Sequence, residues 1–140
     1  MNMTEMISMA VMLHVGSILL ILLLLGLLLW HFSKEMEFKP FSLKYEKLSL
    51  YYKATLGALF FTGLVVMAVA KFEVLWTVYI MVLVVLHMIA TTAKEHIAYK
   101  LTHIKDALSQ ETFKAYAKKK YMIDTILIVV LSAVTYAVSL

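Results

Sequence analysis

Several things are scarce or missing in this chain. It contains no cysteine, which excludes a disulfide frame, thiolate metal sites and covalently attached c-type haem. It contains no arginine, so all 13 basic residues are lysine. Proline occurs once, at Pro40, and charged residues make up only 16%. No glycine-rich phosphate loop, H-E-x-x-H or G-x-S-x-G motif is present, so the common phosphate-binding, zinc-hydrolase and serine-hydrolase chemistries have no anchor. No internal repeat stands out.

Apolar surface dominates what remains. Of 140 residues, 63% are hydrophobic, and the mean hydropathy is +0.88. A soluble domain averages roughly 45–50% apolar and about 25% charged. A chain this short cannot bury such an excess, because small domains leave much of their surface outside the core. Lipid is the solvent that accepts it.

A membrane-spanning helix needs about 20 mainly apolar residues. Four segments qualify, at about 6–32, 51–70, 74–97 and 121–140. The expected fold is all-α, a four-helix transmembrane bundle forming a single integral membrane domain over 1–140. The runs do not alternate as barrel strands would. Residues 1–13 contain no lysine and Glu5 is their only charge, unlike the basic start of a cleaved signal. The first run therefore reads as a retained helix.

Lysine placement predicts the orientation. Segments 33–53 and 94–120 together hold twelve lysines, and Lys71 alone lies elsewhere. By the positive-inside rule the loops 33–50 and 98–120 face the cytoplasm, and both termini face outward. The net charge of +4 thus belongs to the loops. It speaks for lipid contact, not nucleic acid. Leu43, Leu50 and the tyrosines of 36–53 suggest a short interfacial helix before the second span. A turn is expected near Leu108–Glu111, with Ser109, Glu111 and Thr112 opening the lead into the fourth span. Gly57 and Gly63 read as helix-packing positions.

Ionisable residues within a membrane are functional hypotheses by default. His14 falls roughly 12 Å below the outer end of the first helix, and His87 roughly 20 Å below that of the third, at 1.5 Å per residue. His31, His96 and Asp124 share the inner boundary, with Lys94 and Glu95 beside them. Two histidines on different helices can clamp haem b as iron ligands. The leading pair is His14 with His87, and the second is His31 with His96. A metal or proton path is the next reading. In the third, boundary groups sit in the headgroup layer and buried histidines bond to neighbours. His103 reads as a solvated loop residue, and Asp124 as a partner for Lys118, Lys119 or Lys120. Met3, Met6, Met9 and Met12 precede His14, and their thioethers suit Cu(I). They also serve as ordinary apolar filler.

Three places carry a family resemblance. The first is His14, Gly26 and Trp30–His31 in helix one. The second is Trp76 and His87 in VLWTVYIMVLVVLH, and the third is Asp124 in KKKYMIDT. With four short apolar helices, this layout resembles the bacterial four-helix protoporphyrinogen oxidase family and the related copper-resistance membrane proteins. The resemblance implies a haem-associated bundle of the bacterial inner membrane, serving electron transfer or a haem-linked oxidation. That family carries a lysine early in helix three, where this chain has Val78, Tyr79 and Ile80, and an arginine late in helix one, which has no counterpart here. The oxidase reaction itself is therefore not implied. The alternatives are a non-enzymatic small subunit or scaffold of a larger membrane complex, and copper handling. Self-association or a partner subunit fits a bundle this small.

Overall fold

The computed structural model describes residues 2–34, 36–69, 76–102 and 106–139. They form four α-helices: α1 (Met3–Ser33), α2 (Phe38–Val69), α3 (Trp76–Lys100) and α4 (Ala107–Ser139). No strand occurs among the described residues. Each helix contains a stretch long and apolar enough to cross a membrane. Helix is the form expected there, since it satisfies its backbone groups within one segment. α1 packs on α2, α2 on α3, α3 on α4, and α4 returns to α1. The result is a closed ring in which sequence neighbours are spatial neighbours.

The helix starts follow local chemistry. Asn2 and Glu5 form a capping box: the Glu5 amide donates to Asn2 Oδ1 at 2.8 Å, and the Asn2 amide to Glu5 Oε2 at 3.3 Å. Two otherwise orphaned donors are thereby satisfied. Pro40 sits in the first turn of α2, where its missing N–H costs nothing. Asp106 Oδ1 accepts from the amides of Leu108 at 3.1 Å and Ser109 at 3.2 Å, capping α4.

Two expectations about the connections are corrected. Segments 33–50 and 98–120 are helical over most of their length, not loops. Residues 38–50 belong to one continuous α2, with no separate interfacial helix. The break before α4 falls at 101–106, ahead of Leu108–Glu111, because the stronger cap is Asp106. α2 and α4, with 32 and 33 residues, are each about 50 Å long. They overrun a hydrocarbon layer of about 30 Å, and the excess lies at the Lys-rich end. Lys71 and His103 lie outside the described residues.

The two ends of the bundle pack differently. At the Lys-rich end Phe32, Phe41, Tyr45, Tyr52, Phe113 and Tyr121 are all buried. Their rings meet edge to face, with Phe32–Phe41 centroids at 5.1 Å, Tyr45–Phe113 at 5.5 Å and Tyr52–Tyr121 at 5.3 Å. Aromatic pairs at such separations gain about 0.5–1.5 kcal/mol beyond area burial. At the Lys-poor end the helices leave a cavity of about 190 Å³. Outward-facing Leu19, Leu23, Leu83 and Ile126 are exposed and meet lipid.

The two helix-two glycines separate. A Cβ at Gly63 would come within 3.3 Å of His14 Cε1, so this position does receive a neighbouring helix. A Cβ at Gly57 would meet nothing within 4 Å. Gly57 is therefore not a packing position within the bundle.

Candidate functional site

Two places inside the bundle carry chemistry. The first lies between α2, α3 and α4 toward the Lys-rich end. Glu95 is fully buried, and Asp124 is 1% exposed. Tyr45 O–H donates to Glu95 Oε1, and Tyr121 O–H donates to Glu95 Oε2 at 2.7 Å. Both Glu95 oxygens accept, the arrangement of a carboxylate. Tyr52 O–H donates to Asp124 Oδ2 at 2.6 Å.

Lys120 joins the network from one turn before Asp124 and forms an ion pair with it. Its ammonium also donates to Thr92 Oγ1 at 2.8 Å and to the Tyr52 oxygen at 3.3 Å. The Thr92 hydroxyl proton goes to the Met88 carbonyl at 2.7 Å, which frees the Thr92 lone pair for Lys120. An ammonium has three donors, and all three are used. Lys120 Nζ also lies 4.9 Å from the ring centroids of both Tyr52 and Tyr121. Charges withdrawn this far from water persist only when paired and hydrogen-bonded. Of the three lysines proposed as partners for Asp124, Lys120 is the one that pairs.

The second place is the Lys-poor cavity. It is lined by His14 from α1, Phe60 and Gly63 from α2, Met81 and Val85 from α3, and Thr135 from α4, among others. His14 Nδ1 lies 3.0 Å from Thr62 Oγ1. The Thr62 hydroxyl donates to the carbonyls of Ala58 at 2.8 Å and Leu59 at 3.1 Å. With the Thr62 proton on one of these carbonyls, its lone pair is available to a proton on His14 Nδ1. In that tautomer Nε2 carries the ring's lone pair. The Thr135 hydroxyl is turned to the Leu131 carbonyl at 2.8 Å, so the rest of the lining is effectively apolar.

The other histidines are dispersed. His87 is exposed and lines a groove of about 290 Å³ with Thr91, Lys120 and Asp124. His14 and His87 thus line different cavities. His31 is 1% exposed and stacks on Phe41 at 4.6 Å. Its Nε2–H donates to the Phe41 carbonyl at 3.0 Å, and its Nδ1 is buried without a partner. His96 is half-buried, and its Nδ1 accepts from Lys53 at 3.0 Å. His31 and His96 share no hydrogen-bond partner. Met6, Met9 and Met12 are exposed. Met9 and Met12 share a shallow groove with Glu5, whose carboxylate already caps α1. The side chains of Met3 and Trp76 lie outside the described residues. Among the described residues, no three of His, Cys, Asp and Glu are grouped to hold a metal ion.

Sequence reading alone missed the tyrosine partners of Glu95 and Asp124. A local signal existed. Tyr45 and Tyr52 are seven residues apart on one helix face, as are Phe113, Ala117 and Tyr121 at spacings of four.

Together these features define a small multi-pass membrane protein with a charged network at one end and a histidine-lined cavity at the other. No family model, curated protein or solved structure matches the chain.

Proposed function

We propose that this protein binds haem b at the Lys-poor end of the bundle through His14, and serves electron transfer or a haem-linked oxidation in a bacterial inner membrane. One observation carries the reading: His14 lines an apolar cavity with its Nδ1 held against the Thr62 hydroxyl, and with the proton on Nδ1 its Nε2 carries the lone pair a metal needs. A ring nitrogen fixed in this way by its opposite N–H is how ligating histidines are oriented. Met81 lines the same cavity, and a thioether is an established second axial ligand to haem iron. His87, which lines a separate groove, is the alternative second ligand only where the parting of the helices joins the two spaces. The donor chemistry fits haem. The volume of about 190 Å³ is below the roughly 300–1,000 Å³ of ligand pockets, so binding must part the helices at this end. When bound, haem supplies one-electron redox chemistry. The residues named here would orient it and exclude water.

A visible spectrum after expression with haem supplied tests the proposal. A Soret band that His14→Ala removes is the expected result. Loss of the band in Met81→Leu, but not in His87→Ala, assigns the second ligand to Met81, and the reverse assigns it to His87. Absence of a Soret band in either redox state overturns the reading. The second reading is a non-enzymatic subunit or scaffold. It is favoured by the complete internal satisfaction of Lys120, which suits a purely structural network. Fixed-stoichiometry co-purification with a larger membrane complex is the result it requires.

A further inference from the structure

A polar groove of about 430 Å³ lies where the end of α1 meets the start of α4. Ser33, Lys34, Glu111, Lys114 and Lys118 contribute its polar side chains. Lys34 Nζ stands 4.0 Å over the ring of Trp30, and Lys44 Nζ lies 6.0 Å from the same ring. Trp30 is 60% exposed on the last turns of α1. Lys114 Nζ donates to the Met36 carbonyl at 3.3 Å and lies 4.7 Å from the Phe41 ring. These contacts hold it at the groove wall.

The charges of the groove do not cancel. Among the described residues that line it, three ammonium groups face one carboxylate, that of Glu111. Among the described residues the one ion pair is Lys120–Asp124, elsewhere in the bundle. Among the described residues, Lys34, Lys114 and Lys118 therefore have no carboxylate partner within 4.0 Å. The groove's depth is also informative. Tryptophan favours the membrane–water boundary, and Lys114 and Lys118 lie roughly 5–10 Å before Tyr121 along α4, beyond the apolar span. A concentrated positive groove at headgroup level, beside an exposed interfacial indole, matches one ligand in chemistry and position.

We propose that this groove is a binding site for an anionic phospholipid of the adjoining leaflet. Its phosphate lies among Lys34, Lys114 and Lys118, and its acyl chains run down the face that carries Trp30. Basic pockets between transmembrane helices recognise lipid headgroups in this way. The site is independent of the His14 cavity, which is at the other end of the bundle.

Bromine-labelled lipid provides the test. In a Trp76→Phe background Trp30 is the sole tryptophan. The protein is reconstituted into equal mixtures of phosphatidylglycerol and phosphatidylcholine in which one lipid or the other carries brominated chains. Brominated phosphatidylglycerol should quench Trp30 at least about twofold more than brominated phosphatidylcholine, as expected for several lysines acting near the surface. Replacing Lys34, Lys114 and Lys118 by Gln should bring the two to parity. Replacing Lys39, Lys47 and Lys94 by Gln, an equal loss of charge, should not. Should the first triple variant fail to fold, Lys118→Gln alone, at an exposed side chain, reads the same change at smaller size. Equal quenching in the unsubstituted groove overturns the proposal. So does an equal loss of preference in the control triple variant, which makes the attraction diffuse. Abolition of the preference by inorganic phosphate makes the groove a free-anion site and overturns the lipid assignment.

Discussion

Gly63 on α2 lies directly against the edge of the His14 ring on α1, and a single added methyl would stand 3.3 Å from Cε1. The Thr62 hydroxyl next to it in sequence holds Nδ1 of the same ring. Two consecutive residues of α2 thus contact the ring of one histidine and set its position.

The two glycines of α2 should respond unequally to alanine. Gly57→Ala meets open space and should stabilise α2 by about 0.5–1 kcal/mol through backbone entropy. Gly63→Ala should gain less than Gly57→Ala, because the His14 ring must first shift by a few tenths of an ångström to admit the methyl. Thermal unfolding in detergent checks both. Equal shifts would show that the His14 contact does not constrain the bundle.

Breaking the Lys120–Asp124 pair from one side should be far worse than removing it whole. Lys120→Met or Asp124→Leu alone should destabilise by about 3–5 kcal/mol, because each leaves a buried charge unpaired. The double variant should cost much less than the sum of the two. A double-mutant cycle by denaturant titration measures this coupling, and simple additivity would rule out a direct partnership.

Glu95 depends on two phenol donors. Tyr45→Phe and Tyr121→Phe should each cost about 1.5–3 kcal/mol, the range for a hydrogen bond to a charged group. Infrared difference spectra against Glu95→Gln should show its carboxylate band move in both phenylalanine variants. An unmoved band would mean that the tyrosines do not donate to it.

Orientation can be read with unique thiols, since the chain has no native cysteine. Asn2→Cys should react with a membrane-impermeant maleimide in intact cells. Lys39→Cys should react only after permeabilisation. The reverse labelling pattern would invert the topology drawn from the lysines.

The spans were legible because lipid imposes a length and a composition that show in any window of sequence. The true helix lengths were less visible. Residues 38–50 and 107–120 look like loops by charge, yet Phe41, Tyr45 and Tyr52, and Phe113, Ala117 and Tyr121, keep one apolar face running through them. That face, not overall polarity, decides that the chain stays helical. Glu95 was recognisable as an anomaly near the membrane boundary. Its partners were not, because Tyr45 is 50 residues away and Tyr121 is 26, and only the relative rotation of three helices brings them together. His14 was legible as a residue in the wrong solvent. Its Thr62 anchor lies 48 residues along the chain and has no local signature.

The unequal packing of the two ends has a mechanical consequence. Interlocked rings and the charged network fill one end, while a cavity is left at the other. A molecule too large for the cavity therefore displaces the fewest packed rings and breaks no buried ion pair if it enters at this end, where His14 lines the space.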